Sequence, residues 1–277
     1  MKKKNNRKLR LSVQLFFLVV VIIAATNHLF KEQGINFQWI SESVFHYICP
    51  ICGVTSIYQL FFTSSLWIVR FSSILAIVIG IAIILSFIFG PVICGYICPF
   101  GTIQDLLSRI GKKLLGKRFN RYISKKVDNK LKYLRYVILI ITILLTSMSS
   151  IIILELINPY HGFLSIIKRE ISIIAISIFI IIVIASIFIH RPWCKYLCPY
   201  GALLGLSNKI KVFRVVRKKK TCISCKKCTN VCPMNIDVHE KEEVRDLRCI
   251  SCFECTNKLV CPKEKTIMCS LDDICNV

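Results

Sequence analysis

Acidic residues are scarce in this chain of 277 residues, in which 15 Asp and Glu stand against 38 Lys and Arg. No P-loop, dinucleotide-binding glycine pattern or Ser, His and Asp constellation stands out. An ordinary cytosolic enzyme fits poorly because the chain combines high charge with high hydropathy. Cysteine is frequent, but 16 residues are about 6% of the chain, below the ~8–10% typical of a disulfide-stapled secreted protein. A mean hydropathy of +0.61 argues against a disordered chain.

Long apolar runs explain the hydropathy. A helix needs about 20 residues to cross a hydrocarbon core of about 30 Å, and four runs come close to that length. The basic residues concentrate before the first run, between the second and third, and after the fourth, which places these segments and both termini in the cytoplasm. Because topology accounts for most of the formal charge of +23, no nucleic-acid partner is expected. The four predicted spans are 11–30, 71–88, 136–157 and 171–189.

The long cytoplasmic loop over 102–134 contains a basic amphipathic pattern. Apolar residues from Ile103 to Leu115 recur at helical spacing, with Arg109, Lys112 and Lys113 among them. The pattern predicts a helix that lies either on the anionic inner leaflet or against the protein's own domain. Both alternatives stay open at this point.

The C-terminal part contains a repeated cysteine run. The first run has the spacing C-x2-C-x2-C-x3-C-P, typical of a 4Fe-4S site, and the second repeats it with five residues before its last cysteine. Zinc is the alternative, but zinc sites usually separate two C-x2-C pairs by a dozen residues or more. The two runs are Cys222, Cys225, Cys228 and Cys232, then Cys249, Cys252, Cys255 and Cys261.

Two clusters are therefore predicted as cofactors, and the last cysteine of each run is expected to ligate the cluster of the other run. One cluster would have Cys222, Cys225, Cys228 and Cys261 as ligands, and the other Cys249, Cys252, Cys255 and Cys232. Cys269 and Cys275 lie outside the pattern and are expected to be free thiols, with a further metal site as the alternative.

A second repeat lies at the inner end of two spans. The segment from Pro91 to Gly101 has the motif C-x3-C-P, and it recurs 100 residues later as Pro192 to Gly201. Positions i and i+4 share a helix face, so we expect the four thiols to meet beneath the C-terminal part that holds the two predicted clusters. They are candidate redox dithiols or ligands of a third metal or cluster, and packing is the alternative role. These residues are Cys94, Cys98, Cys194 and Cys198.

The predicted outer side has one redox-capable pair. Cys49 and Cys52 form a C-x2-C motif suited to reversible disulfide chemistry or metal binding, and an inert pair is the alternative. No two histidines lie at mid-membrane depth, so an intrinsic transmembrane haem is not expected.

With these motifs the sequence resembles the polytopic membrane ferredoxins of the NapH type and the C-terminal part of NosR-type proteins. The resemblance covers the four spans, both C-x3-C-P motifs and the two cysteine runs. It implies electron transfer between a cytoplasmic donor or quinol pool and a membrane or extracytoplasmic reductase. Proteins of the CcoG type share the C-x3-C-P theme. The resemblance points to an electron carrier or redox subunit rather than a stand-alone enzyme.

We therefore predict an all-α membrane domain over 1–213 and a small α+β two-cluster ferredoxin domain over 214–277. The membrane domain consists of four transmembrane helices in two parallel-repeat hairpins. Expected partners are the lipid bilayer and redox proteins, and a quinol stays open. An assembly factor that reduces a metal ion or a disulfide, and a membrane redox sensor, are the alternative functions.

Overall fold

A computed structural model describes most of the chain, as helices, short 3-10 turns and one small sheet. The described residues are 6–32, 54, 74–120, 122–148, 157–168, 172–257, 259–263 and 266–270. Ten α-helices of the described part precede the cysteine runs, and we number them in chain order. They are α1 Asn6–Glu32, α2 Ile74–Phe89, α3 Val92–Tyr96, α4 Pro99–Leu115, α5 Lys125–Leu131, α6 Leu134–Ser147, α7 Pro159–Lys168, α8 Ile173–Phe188, α9 Pro192–Tyr196 and α10 Pro199–Gly205.

The sequence repeat is also a structural repeat. In each copy a long apolar helix is followed by a five-residue helix and then by a helix that begins at a Cys-Pro pair. The residue before the first proline of each copy has a positive φ, +80° at Gly90 and +50° at Arg191. Such a backbone costs about 1–3 kcal/mol at a non-glycine residue, so the surroundings of Arg191 must hold it there.

Helix α4 is amphipathic, but its buried face is polar and its exposed face includes large apolar side chains. Its buried face is made of small and polar residues, including Gln104, Asp105 and Ser108, whereas Ile110 and Leu114 are exposed. The buried face packs on α8, where the Ser108 hydroxyl donates to the Ser186 carbonyl oxygen. The helix therefore packs on the protein itself and directs apolar side chains outward.

Close contact between α4 and α8 depends on a glycine. A Cβ at Gly111 would overlap the carbonyl oxygen of Ile187, so no side chain can occupy this position. The absence of a side chain at this position thus lets the two backbones touch. The first repeat, which supplies α4, is held against the second, which supplies α8.

The C-terminal part is built around a short sheet. Strands β1 Val215–Arg217 and β2 Ile267–Cys269 pair antiparallel, with Val215 opposite Cys269. Helix α11 Lys227–Val231 and several 3-10 turns connect them. The described residues of this part have little regular structure, and a small core that includes Met234, Ile236 and Val244 packs against the cysteines.

By length and composition, one described helix segment, Arg7–Thr26, could cross a membrane. The apolar helices Gly80–Phe89 and Ile173–Phe188 are shorter, and residues 149–156 of the third predicted span lie outside the described part. The mostly helical architecture with few strands is confirmed for the described residues. The four spans remain a prediction.

Replacing Gly111 with alanine should force α4 away from α8, because the new methyl group would overlap the Ile187 carbonyl. We expect a loss of at least about 1–3 kcal/mol, seen as a lower midpoint of thermal unfolding in detergent. Gly80→Ala is the matched control, since a Cβ there meets nothing within 4 Å and should leave the midpoint unchanged or slightly raised. Equal midpoints for the two variants would contradict the close contact.

Candidate iron–sulfur and thiol site

The cysteines of the two C-terminal runs form two groups in space, which we call set I and set II. Set I lines one small cavity, to which the second run contributes only its last cysteine. In set II, the thiol of Cys232 lies in electrostatic range of Cys249, Cys252 and Cys255. The structure thus brings together the same residues that the spacing groups by exchange of the last cysteine. Set I is Cys222, Cys225, Cys228 and Cys261, and set II is Cys232, Cys249, Cys252 and Cys255.

The backbone of the two runs repeats the same unusual conformation. Ser224 and Ser251, each just before the second cysteine, have φ of 53° and 48°. The residues just after it, Lys226 and Phe253, have φ of 56° and 52°. Non-glycine residues in this region persist only where the surroundings over-determine them. The paired left-handed residues curl each run around its three thiols.

Backbone amides donate toward the sulfur atoms. Cys222 accepts from the Ser224 amide, Cys252 from that of Glu254, and Cys232 from those of Met234 and Ile236. Hydrogen bonds to sulfur are among the features that set the potential of an iron–sulfur cluster. Four thiols with amide donors around them form a donor set that fits a 4Fe-4S cluster in each case.

Set I and set II differ in exposure. Cys225 of set I is exposed, and Lys226 and Lys227 beside it are exposed as well. In set II, burial raises the pKa of Cys232 to about 12, and it also raises the pKa of Cys255 well above its usual value. A metal ion that binds such a thiol displaces its proton, so metal binding here is coupled to proton release.

The C-x3-C-P motifs do not have the predicted helical geometry. Helix α3 ends at Tyr96, and Cys98 has an extended backbone as the N-cap of α4. Cys198 has the same role ahead of α10, and each N-cap thiol accepts from a glycine amide, Gly101 at 3.5 Å or Gly201 at 3.3 Å. The expectation that both cysteines of a motif share one helix face is therefore wrong. Proline is favoured at the first position of a helix, so a new helix begins after the second cysteine of each motif.

The four C-x3-C-P thiols nevertheless meet, and we call them the four-thiol set. Cys94 lies in electrostatic range of Cys98 and Cys194, and Cys198 in range of Cys94 and Cys98. Burial raises the pKa of Cys94, Cys194 and Cys198. The two copies of the repeat bring the thiols together by packing on each other. Four converging sulfurs also fit a metal or cluster.

Two arginines supply positive charge beside these thiols. Both Arg191 and Arg135 lie in electrostatic range of Cys94, and both side chains are fully buried. The Gln104 amide also donates to the Cys194 sulfur at 3.5 Å. Thiolates, or a negatively charged cluster that they hold, would be stabilised by such neighbours.

The four-thiol set adjoins set II. A Cβ at Gly95, which lies between Cys94 and Cys98, would be 2.6 Å from the Ile250 carbonyl oxygen and 3.6 Å from the Cα atom of Cys252. The Tyr96 hydroxyl donates to the Cys252 carbonyl oxygen at 3.3 Å. Only glycine permits this approach, so the motif segment and the second cysteine run are in direct backbone contact.

A buried carboxylate, Asp105, holds this region together, and sequence reasoning missed it. Arg10 and Arg191 form ion pairs with it, and the His190 ring lies 3.0 Å from it. Burial by itself would raise the pKa of Asp105, but the charges of Arg191 and then Arg10 hold that pKa well below its usual range. One signal was available, because Asp105 is the sole acidic residue between Glu42 and Asp128 in the sequence.

Asp128 forms a second junction that sequence reasoning missed. It pairs with Lys195 of the second C-x3-C-P motif and accepts from the Tyr196 hydroxyl. Arg248, just before set II, donates to the same carboxylate at 3.0 Å. Helix α5, the second motif and the ferredoxin part therefore meet at one side chain.

A buried lysine also faces set II. The Lys211 ammonium lies 3.8 Å from the Cys249 sulfur and 3.2 Å from the Ser251 hydroxyl oxygen. A buried positive charge beside a thiolate is a stabilising neighbour.

Of the four cysteines that remain, the structure describes one. Cys49, Cys52 and Cys275 lie outside the described residues. Cys269, at the end of β2, is disulfide-bonded, so the expectation of a free thiol is wrong for this residue.

Comparison with known proteins assigns iron–sulfur domains to the same segments. The profile of a 4Fe-4S binding domain matches residues 71–118 and 171–221, and that of a 4Fe-4S dicluster domain matches residues 214–262. The first profile contains the four-thiol set, and the second contains set I and set II. No solved structure gives a significant match.

Curated relatives support the same assignment. The putative electron transport protein YccM of Escherichia coli is 30% identical over 80% of this chain, and the match spans 62% of YccM. The uncharacterized protein MJ0750 of Methanocaldococcus jannaschii is 36% identical over 60% of this chain and 68% of its own length. The ferredoxin-type protein NapH of Haemophilus influenzae is 30% identical over 56% of this chain and 53% of its own length. The chain belongs to the NapH/NosR-type family of 4Fe-4S ferredoxin proteins.

Proposed function

We propose that the protein is a membrane-bound iron–sulfur electron-transfer protein. It would connect a cytoplasmic donor or the quinol pool with a reductase in or beyond the membrane. The relative YccM is described as a putative electron transport protein and NapH as a ferredoxin-type protein, which agrees with electron transfer. The partners on both sides are part of the proposal.

The observation that carries the proposal is the contiguous arrangement of three thiol sets. Set I reaches the surface at Cys225, and the core that contains Cys228 also packs against the set II thiols and Cys94. Gly95 then joins set II to the four-thiol set by backbone contact. When bound, 4Fe-4S clusters supply reversible one-electron chemistry. The chain itself supplies the ligands, the short spacing between sets and the buried positive charges.

We assign set I and set II as the ligands of two 4Fe-4S clusters, with Cys261 and Cys232 exchanged between the runs. The four-thiol set is assigned as a third iron–sulfur site. Its four sulfurs converge in a buried position, and the matched 4Fe-4S binding domain contains these cysteines and none of the other eight. Arg191 and Arg135 would offset the negative charge that four thiolates bring.

Membrane insertion is proposed from the distribution of polarity. Helices α1, α6 and α8 expose large apolar side chains such as Phe16, Leu144 and Ile181. Polar residues such as Gln14, Thr142 and Ser186 are buried between the helices. A surface of this kind suits lipid rather than water. We propose four spans, with both termini and the ferredoxin domain (214–277) on the cytoplasmic side of the membrane domain (1–213).

The electron donor would meet the protein at set I. Cys225, Lys226 and Lys227 are exposed there, and Ile223 is exposed beside them. A basic surface around the exposed end of the thiol chain suits an acidic soluble redox protein, because complementary charge speeds encounter.

Anaerobic purification with iron and sulfide analysis tests the number of clusters. Two 4Fe-4S clusters require about eight irons per chain, and a third site raises that content to about ten or twelve. We expect more than eight irons, together with coupled spins in the electron paramagnetic resonance spectrum of the reduced protein. A colourless preparation that binds only zinc would contradict the proposal as a whole.

Substitution of the four-thiol set separates the third site from the other two. The double variant Cys94→Ser and Cys194→Ser should return the iron content to about eight, because it removes two of four ligands and leaves set I and set II intact. Cys225→Ser is the complementary variant and should remove about four irons while the third site stays. An iron content that is the same in the wild type and the double variant would assign the four thiols to another role.

A further inference from the structure

A cleft of about 840 Å³ lies between α1, α4, the following loop and the ferredoxin part. Its size is within the range of about 300–1,000 Å³ that is usual for ligand sites. Cys232 of set II lies in its wall, and the C-terminal half of α4 lies on another side. The basic residues that line it are Arg7, Arg10, Arg109, Lys112, Lys125 and Lys226.

The carboxylates of this cleft are already neutralised. Asp105 pairs with Arg10 and Arg191, and Asp128 pairs with Lys195 and Arg248. The remaining two acids are also engaged, Asp237 with Lys125 and Glu254 with Arg10.

Four cations of the cleft have no such partner among the described residues. Arg7, Arg109, Lys112 and Lys226 form no salt bridge within the described part of the chain, and they leave an excess of positive charge. An anion is the ligand that this lining would attract.

Three of these cations gather on the α4 side of the cleft. Burial lowers the pKa of Arg109. Repulsion between its guanidinium group and that of Arg7 lowers this pKa further. Helix α1 begins at Asn6 next to them and has no acidic residue in its first turn. The positive end of a helix dipole therefore adds to the basic side chains. A phosphate group relieves such repulsion and accepts hydrogen bonds from both arginines.

The neighbouring surface is apolar. On α4, Ile110 and Leu114 are 52% and 73% exposed, next in sequence to Arg109 and close to Lys112. Basic residues beside exposed aliphatic side chains match an anionic lipid. The basic residues would face its phosphate, and the aliphatic side chains would face its acyl chains.

We propose that Arg7, Arg109 and Lys112 form a phosphate-binding site that holds the headgroup of an anionic inner-leaflet phospholipid at the mouth of this cleft. The lipid source rests on the membrane placement proposed above, whereas the phosphate chemistry does not. A soluble phosphate ester would offer the same group to the same residues.

The test uses the full-length protein in nanodiscs of phosphatidylcholine with a minority of phosphatidylglycerol, followed by native mass spectrometry. We expect the wild type to retain phosphatidylglycerol selectively. In the double variant Arg109→Gln and Lys112→Gln, retention should fall roughly 100-fold, since each charge-assisted hydrogen bond to the bound phosphate contributes about one factor of ten. The matched control is Lys113→Gln with Arg118→Gln, which removes the same charge from exposed positions outside the cleft.

Several outcomes separate the alternatives. Equal loss in the double variant and its control, or no loss in either, would overturn the site. Saturable binding of inorganic phosphate to lipid-free protein, lost in the double variant alone, would support the site and identify a soluble source. Iron content equal to that of the wild type shows that a variant is folded, and Arg7→Gln provides a second test from another helix. Iron content also separates this proposal from the cluster assignments, which do not depend on the lipid.

Discussion

The buried ion pair between Asp105 and Arg191 is the constraint on which the thiol sites depend. Arg191 belongs to the second repeat, yet its side chain reaches Asp105 in the first and donates to the Cys94 carbonyl oxygen at 2.6 Å. It also has a left-handed backbone, which the pair stabilises. A buried pair adds little net stability, but the loss of one partner costs about 3–5 kcal/mol, because the remaining charge stays buried. The register of the two repeats is thus fixed by charge.

Glycines allow the close backbone contacts between the segments that the ion pairs join. Gly111 lets α4 touch α8, Gly95 lets the first motif touch the second cysteine run, and a Cβ at Gly205 would lie 2.6 Å from the Leu247 carbonyl oxygen. Each glycine lies where two parts of the chain meet backbone to backbone. Close approach matters for electron transfer, because electrons pass between redox sites only when the sites are a short distance apart.

The positive charge of the chain has more than one purpose. Sequence reasoning attributes most of it to membrane topology, and the described part of the structure adds structural roles for Arg10, Arg135 and Arg191, all of them buried. Arg10 joins α1 to Asp105 and to Glu254 beside set II. Other basic residues surround the exposed edge of set I or line the cleft beside α4. Positive charge therefore lies near each site that thiolates or phosphates would make negative.

The sequence by itself contained the two cysteine runs, the repeat of the C-x3-C-P motif and the signature of the family, because motif spacing is a local property of the chain. The grouping of the cysteines into two ligand sets is a prediction from the exchange of the last cysteine between runs that two-cluster ferredoxins have. The sequence could not determine that Cys98 and Cys198 cap new helices, since an i, i+4 spacing is equally consistent with one continuous helix. Nor could it show the partners of Asp105 and Asp128, or the joining of set II to the four-thiol set through Gly95. Only the structure showed where each motif changes from one helix to the next. Only tertiary packing decided the ion pairs and the Gly95 contact, because they join segments about 65 to 155 residues apart in sequence, and the pattern within one segment does not identify its distant partners.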